Sequence, residues 1–216
     1  MKYAVVDLEM CYVPKGYRKF GYKYRQETIQ IGAVLLDEDY EVIDEFNTYV
    51  KPEYGCIDSF IENLTGISQN DVVDAPCFED ALEMFLDWLP ADDVRCVSWS
   101  NSDPKQIIHE AFEKGIQDER LEIIFANWID CQKTFGQKMD RKKSYSLEEA
   151  LFISNIAPEG RAHDGLVDAA NTATLFTKLE TDPDYRLNEY YEAARKEDID
   201  HLSFSMGDLF AGIVLT

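Results

Sequence analysis

The sequence predicts an α/β protein in which helices pack on a mixed sheet. Two observations lead there. The first fifty residues hold three β-type runs in succession, and strands and amphipathic helices alternate after them. Gly and Pro also fall where elements should stop, at Pro52, Gly66, Pro90 and Gly115.

The elements follow in order. Residues 2–10 read as a buried strand. A basic loop leads to a second strand at 28–36, an acidic turn at 37–40, and an alternating third strand at 42–50. Two short helices are expected at 59–64 and 78–89, closed by Gly66 and Pro90. Residues 94–99 form another short strand. Asp103 and Pro104 open a helix that runs to about Lys114, with Gly115 placed to end it. Residues 121–130 are expected to be a strand running into Asp130. Ser146 and Glu149 make a capping box, and a long helix begins across 163–168 and reaches about Leu179. No internal repeat or low-complexity tract interrupts this order.

Residues 1–180 thus form the expected main domain, and 181–216 an extension. The extension opens with an acidic, helix-prone segment bearing Tyr185, Tyr190 and Tyr191. It ends in the apolar run from Leu209 to Leu215. Such a tail is expected to dock on its own domain, a subunit interface being the alternative.

Apolar and charged residues make up 45% and 29% of the 216 positions, the balance of a folded, water-soluble domain. No apolar run reaches the roughly 18 residues of a membrane helix, and the first acid comes too early for a signal peptide. The five cysteines, Cys11, Cys56, Cys77, Cys96 and Cys131, are scattered and never arranged as CxxC. That pattern fits reduced thiols in a cytoplasmic setting and argues against a zinc site or a disulfide frame.

A net charge of −21 argues at first against a polyanionic partner. The distribution says otherwise. Lys15, Arg18, Lys19, Lys23 and Arg25 follow the first strand without one acid among them, interleaved with Tyr12, Tyr17, Phe20, Tyr22 and Tyr24. Cations with aromatics suit phosphates and unpaired bases, although the stretch also reads as a solvated connector. A weaker patch comprises Lys133, Lys138, Arg141, Lys142 and Lys143, broken by Asp140.

The acids carry the chemistry. Asp7 and Glu9 stand two apart in the first strand, so both carboxylates project from one face. An edge strand facing water would tolerate that pair, but a buried one needs a cation, and oxygen donors suit Mg²⁺ or Mn²⁺. Asp103 sits where a strand hands over to a helix, a position that also suits an ordinary N-cap. His163 precedes Asp168 by five residues, about 500° on a helix, so the two share a face only if His163 lies on the entering loop. Asp164 reads as the N-cap, and Gly165 fits a close approach.

In this order and context the residues resemble the DnaQ-like DEDDh exonuclease superfamily. They are Asp7 and Glu9 in Val-Val-Asp-Leu-Glu, Asp103 in Trp-Ser-Asn-Ser-Asp-Pro, and His163 with Asp168 in His-Asp-Gly-Leu-Val-Asp. Further text at Glu27–Val34, Tyr49–Pro52, Leu64–Ile67, Ala75–Pro76 and Gly160–His163 is similar to the enhanced-RNAi-type 3′–5′ exonucleases and their bacterial relatives. The match spans roughly residues 1–180. The enlarged basic loop and the acidic tail depart from it.

The resemblance implies a ribonuclease-H-like mixed sheet, with three antiparallel strands and then parallel strands. It implies hydrolysis of single-stranded nucleic acid, RNA favoured over DNA, from the 3′ end with release of nucleoside 5′-monophosphates. Such chemistry builds charge on the attacking and leaving oxygens, which two divalent cations about 4 Å apart can stabilise. Asp7, Glu9, Asp103 and Asp168 are the expected metal ligands, Asp7 bridging. His163 is the expected general base, since imidazole accepts protons near neutral pH. Thr65 and Ile67 are expected beside the terminal nucleotide, and Lys15, Arg18 and Lys19 on its phosphates. The acidic surface leaves open an adaptor that binds nucleic acid or a protein partner on the same fold.

Overall fold

Alternation along the first strand decides the layering. In β1 (Lys2–Tyr12), Ala4, Val6 and Leu8 enter one apolar cluster and Val5 another, so Asp7 and Glu9 continue the Val5 face. The computed structural model describes residues 1–16, 22–91, 93–139 and 144–192. Strands β2 (Gln26–Leu36) and β3 (Val42–Tyr49) add antiparallel to β1 on one side. Strands β4 (Val94–Ser98) and β5 (Ile129–Asp130) add parallel on the other, giving the order β3-β2-β1-β4-β5. This is the expected mixed sheet.

The face of Ala4, Val6 and Leu8 is covered by α3 (Phe78–Trp88), α4 (Ser102–Glu113) and α5 (Glu119–Ala126), through Phe78, Phe85, Ile107 and Leu121 among others. The opposite face carries α6 (Cys131–Lys138), α7 (Leu147–Ile153) and α8 (Gly165–Thr181), through Phe135, Leu151 and Phe176. A smaller cluster of Cys11, Ile29, Ile57, Ile61, Ile67 and Val72 ties α1 (Ser59–Thr65) and α2 (Gln69–Val72) to the end of the sheet. Asp7 and Glu9 lie along β1 between two apolar regions. None of the described helices is long and apolar enough to cross a membrane.

The sequence misplaces two features. Residues 121–130, expected as a strand, are mostly α5, and β5 is two residues long. Asp118 caps α5 by accepting the Arg120 N–H at 2.8 Å, and the buried Leu121 and Ile124 stand three apart, the spacing of a helix face. A short apolar run does not distinguish strand from helix by itself. Second, the N-cap of α4 is Asn101. Asp103 lies inside the first turn, which leaves its carboxylate for another task. Helices α2 and α6 were not anticipated.

Pairing of β1 with β4 ends at Val5 and Val97, while β1 runs on to Tyr12. The N–H of Leu8 donates to Asp103 Oδ1 at 3.2 Å, so a carboxylate from α4 meets the strand beyond the reach of β4. The far end of α4 is fixed by a second polar cluster. Lys114 Nζ lies 3.0 Å from Glu27, 3.1 Å from Glu53 and 3.3 Å from Glu110, and the Glu110 carboxylate accepts the Thr28 N–H at 2.9 Å. Burial lowers the affinity of Lys114 for its proton, but Glu110 and Glu27 outweigh it and hold the ammonium above its ordinary range.

Beyond α8 the chain continues against α7. Asn188 N–H donates to the Ile153 carbonyl at 2.7 Å, and Tyr185 and Tyr191 pack on the same apolar cluster. The predicted apolar tail lies outside the described residues. All five cysteines are free thiols.

Helix α8 meets the sheet at Gly32, the partner of Asp7 across β1 and β2. A Cβ on Gly32 would fall 2.2 Å from the main chain of Gly165 and of Leu166, backbone that cannot step aside. Gly32→Ala is therefore expected to cost about 3 kcal/mol by urea denaturation. Gly16→Ala, whose Cβ would meet nothing within 4 Å, should stay within about 0.5 kcal/mol of the parent.

Candidate active site

The close contact at Gly32 brings the start of α8 onto the acid-bearing face of β1. Gly165 lies so near that a Cβ there would sit 3.2 Å from the Asp7 carbonyl oxygen. Gln30, paired with Glu9 in the sheet and buried, fixes the approach: its Oε1 accepts the Gly165 N–H at 2.9 Å, and its Nε2 donates to Asn47 at 3.0 Å. Asp164 caps the helix, its Oδ1 accepting the N–H groups of Leu166 at 3.1 Å and Val167 at 3.3 Å.

His163 thus stands outside the helix, as its spacing from Asp168 requires, and Asp168 lies in the first turn. The His163 backbone is left-handed, at φ 63°, a conformation uncommon for a side-chain-bearing residue. Its N–H donates to Asp168 Oδ2 at 2.9 Å. Glu9, His163 and Asp168 each offer one ligand atom, and these atoms lie within 4.8 Å of one another. Asp7 shares electrostatic repulsion with Glu9, Asp168 and Asp103, and Asp103 with Glu9. The loop that carries His163 is tied down as well: the buried Asn171 accepts the Glu159 N–H at 2.9 Å and donates to the Glu159 carbonyl at 3.0 Å.

Burial raises the pKa of Asp7 well above the carboxylate range, and Asp103, Glu9, Asp168 and Asp164 raise it further. Glu9 is pushed up to about 8, by burial first and then by Asp168 and Asp103. Asp103 rises to about 7 through burial, against the opposing hydrogen bond from Leu8. Asp168 is raised by burial despite the His163 N–H and imidazole beside it. Among the described residues no Lys or Arg forms an ion pair with any of the four.

The donor set therefore fits a hard divalent cation. It is rich in carboxylate oxygen, includes one imidazole, and lacks the counter-charge that buried acids need.

Of the other expected site residues, Thr65 and Ile67 are buried. The Thr65 hydroxyl donates to the Ile61 carbonyl at 2.9 Å and accepts the Ile67 N–H at 3.1 Å, while Ile67 packs in the smaller core cluster. Both side chains are thus engaged in holding the segment together. Lys15 is exposed just past β1, whereas Arg18 and Lys19 lie outside the described residues. Tyr22 is a core residue, with its hydroxyl donating to the Gln26 carbonyl at 2.8 Å and its ring stacked on Tyr54. Lys138 donates to the Leu179 carbonyl at the end of α8, at 2.6 Å. Gln30, Gly32 and Asn171 were missed as site-building residues. The signal for two of them was present, since a polar side chain and a glycine inside an apolar strand mark a close approach.

The raised acids give a stability profile of definite sign. A carboxyl that titrates near 4.5 when unfolded and near 8 when folded stabilises the protein fully below the first value and loses that contribution through the second. In chelator, the melting temperature should fall by roughly 5–10 °C between about pH 6 and pH 8.5. Glu9→Gln should flatten this slope, and Mn²⁺ should raise the melting temperature more at the higher pH. A flat profile in the parent protein would refute the burial of the cluster.

Comparison with known proteins agrees with this geometry. Residues 4–176 match the exonuclease family, RNase T. ERI1 exoribonuclease 2 of Danio rerio is 33% identical over 180 residues, covering 73% of this chain and 32% of that protein. The 3′–5′ exoribonuclease 1 of Mus musculus is 27% identical over 188 residues, covering 77% of this chain and 51% of that protein. The nuclease domain of 3′hExo, a DEDDh family member solved with bound rAMP, has a TM-score of 0.69 and 25% identity over 87% of this chain and 96% of that one. This chain spans 26–32% of the length of three ERI1 exoribonuclease 2 relatives. The matched residues, the sheet order and the Asp7, Glu9, Asp103, His163 and Asp168 set place the chain in the exonuclease family, in its DEDDh branch.

Proposed function

We propose that the protein is a 3′–5′ exonuclease that trims single-stranded RNA from its 3′ end and releases nucleoside 5′-monophosphates. Residues 1–180 are the nuclease domain in this reading, and 181–216 its extension. One observation carries it: ligand atoms of His163, Glu9 and Asp168 lie within 4.8 Å of one another, Asp7 and Asp103 add to the charge there, and among the described residues no Lys or Arg pairs with these carboxylates. Relatives named exoribonucleases support RNA as substrate, and the rAMP bound to a related nuclease domain supports a nucleoside monophosphate as product. The free thiols support a cytoplasmic setting.

Asp7, Glu9 and Asp168 would hold one divalent cation and Asp7 with Asp103 a second, Mg²⁺ or Mn²⁺ in either place. When bound, the cations supply positive charge opposite the attacking and leaving oxygens. The protein's part is position and proton transfer. Asp168 holds the His163 main chain through its N–H, leaving the exposed ring free to take a proton from the attacking water as the P–O3′ bond breaks. Gln30 and the Asp164 cap keep α8, and with it Asp168, at a fixed depth over Glu9. Lys15, Arg18 and Lys19 attract the strand through its phosphates, and Thr65 and Ile67 shape the segment against which the last nucleotide rests.

The test uses 5′-labelled single-stranded RNA and DNA with Mg²⁺ or Mn²⁺. The parent should shorten RNA from the 3′ end faster than DNA, while Asp7→Asn and His163→Ala should each lose at least about 100-fold. Internal cuts would show an endonuclease, and binding without cleavage an adaptor. Replacing Lys15, Arg18 and Lys19 by Gln should weaken binding and lower the salt slope by about two. An unchanged slope would reduce the loop to a connector.

A further inference from the structure

The segments 64–67 and 160–163, far apart in sequence, meet through one side chain. Arg161 reaches from the loop of His163 to the end of α1, where its Nη2 donates to the Asn63 carbonyl at 2.7 Å and lies 3.4 Å from that of Leu64. Carbonyls in the last turn of a helix lack intrahelical donors and carry the negative end of its dipole, so a guanidinium suits them. Gly66 ends that helix at φ 79°. A Cβ on Gly66 would fall 2.0 Å from Arg161 Nη1 and 2.9 Å from Cζ, so the missing side chain is the seat of the guanidinium.

We propose that Arg161 is a positioning residue: clasped across Gly66, it sets how far the His163 imidazole stands from the 65–67 segment. This rests on the nuclease reading, in which a 3′-terminal nucleotide must fit between the two. Only Ala162 separates the clasped residue from His163, whose N–H on that same side is held by Asp168 and whose following neighbour, Asp164, is fixed as the cap of α8. Both flanks of the left-handed residue are thereby fixed. Arg161 is exposed, and it joins no carboxylate among the ion pairs of the described residues, in a chain of net charge −21. Its bonds go to main-chain oxygens instead. Such exposed bonds add little stability, so the contribution is geometric. Planarity matters too, since the group lies along Gly66 while spanning successive carbonyls, which the single ammonium of lysine does not reproduce.

The test compares Arg161→Ala, Arg161→Lys, Gly66→Asn and the double variant Arg161→Ala/Gly66→Asn. Asparagine tolerates the left-handed backbone but fills the seat, which separates the clasp from the helix cap. On single-stranded RNA each single variant should lose about 10- to 100-fold in kcat with KM changed far less. Melting temperatures should stay within about 3 °C, and amide exchange at residues 159–163 should quicken. Lysine should not restore the rate, and the double variant should be no slower than Arg161→Ala, because both changes open one contact. Multiplying losses in the double variant, rescue by lysine, or unchanged kcat in Arg161→Ala would overturn the proposal. If the parent degrades no RNA, the nuclease reading fails, while amide exchange still decides the clasp: unchanged exchange in both single variants refutes it.

Discussion

Asp7, Glu9, Asp103 and Asp168 repel one another in a place withdrawn from water, and each charge they carry at neutral pH costs folding free energy. That cost is on the order of a few kcal/mol. The two apolar layers can bear it, since each buried Val, Leu, Ile or Phe contributes about 1.5–3 kcal/mol before chain entropy is charged against it. What the layers cannot do is aim the acids. Aim comes from close main-chain contact at Gly32 and Gly165, from Gln30 between strand and helix, and from Asp103 holding the Leu8 N–H. Each contact serves the fold and the site together.

A second acid cluster, with Glu27 and Glu110 buried and Glu53 exposed, shows what sets the first apart. Glu27, Glu53 and Glu110 gather round Lys114, and Glu27 also accepts the N–H groups of Glu53, Tyr54 and Gly55. Its negative charge is met by an ammonium and by oriented main-chain donors. Asp7 and Glu9 have no cation of this kind among the described residues. Acids that arrive with their own counter-charge anchor α4 to the sheet, whereas acids that arrive without it await a ligand. The distinction lies in partners, not in acid count, and it separates a structural cluster from a reactive one.

Much of this was legible in the sequence. The period-two pattern of β1 put Asp7 and Glu9 on one face, and the five-residue step from His163 to Asp168 forced the histidine off the helix. Both inferences follow from backbone geometry alone, which is why they hold. The failures have a different origin. Leu121 to Phe125 is too short a run for its period to be read, so Asp118 and the burial of Leu121 and Ile124 decide it as helix. Asp103 was expected as a site residue against the alternative of a cap beside Pro104, but the strand overshoot that engages its carboxylate is a tertiary fact. Tyr22 looks like a stacking residue in a basic loop, but its ring is buried on Tyr54. Arg161 and Gly66 stand in short stretches with no pattern of their own, and only their contact shows what each is for.

Net charge is the poorest guide of all. A chain at −21 would be expected to repel RNA, but screening limits the reach of an exposed charge to about 8 Å at physiological salt. Acids on remote surfaces therefore weigh little at the site. Lys15 lies six residues after Glu9, where the acid-bearing strand leaves the sheet, and Lys23 and Arg25 are exposed where β2 returns. On the proposed reading, such cations would attract phosphates, and divalent ions held by the carboxylates would change the sign of the local potential. In that same reading, an acidic exterior would disfavour long nucleic acid lying across the surface and leave the 3′ end as the place where attraction prevails.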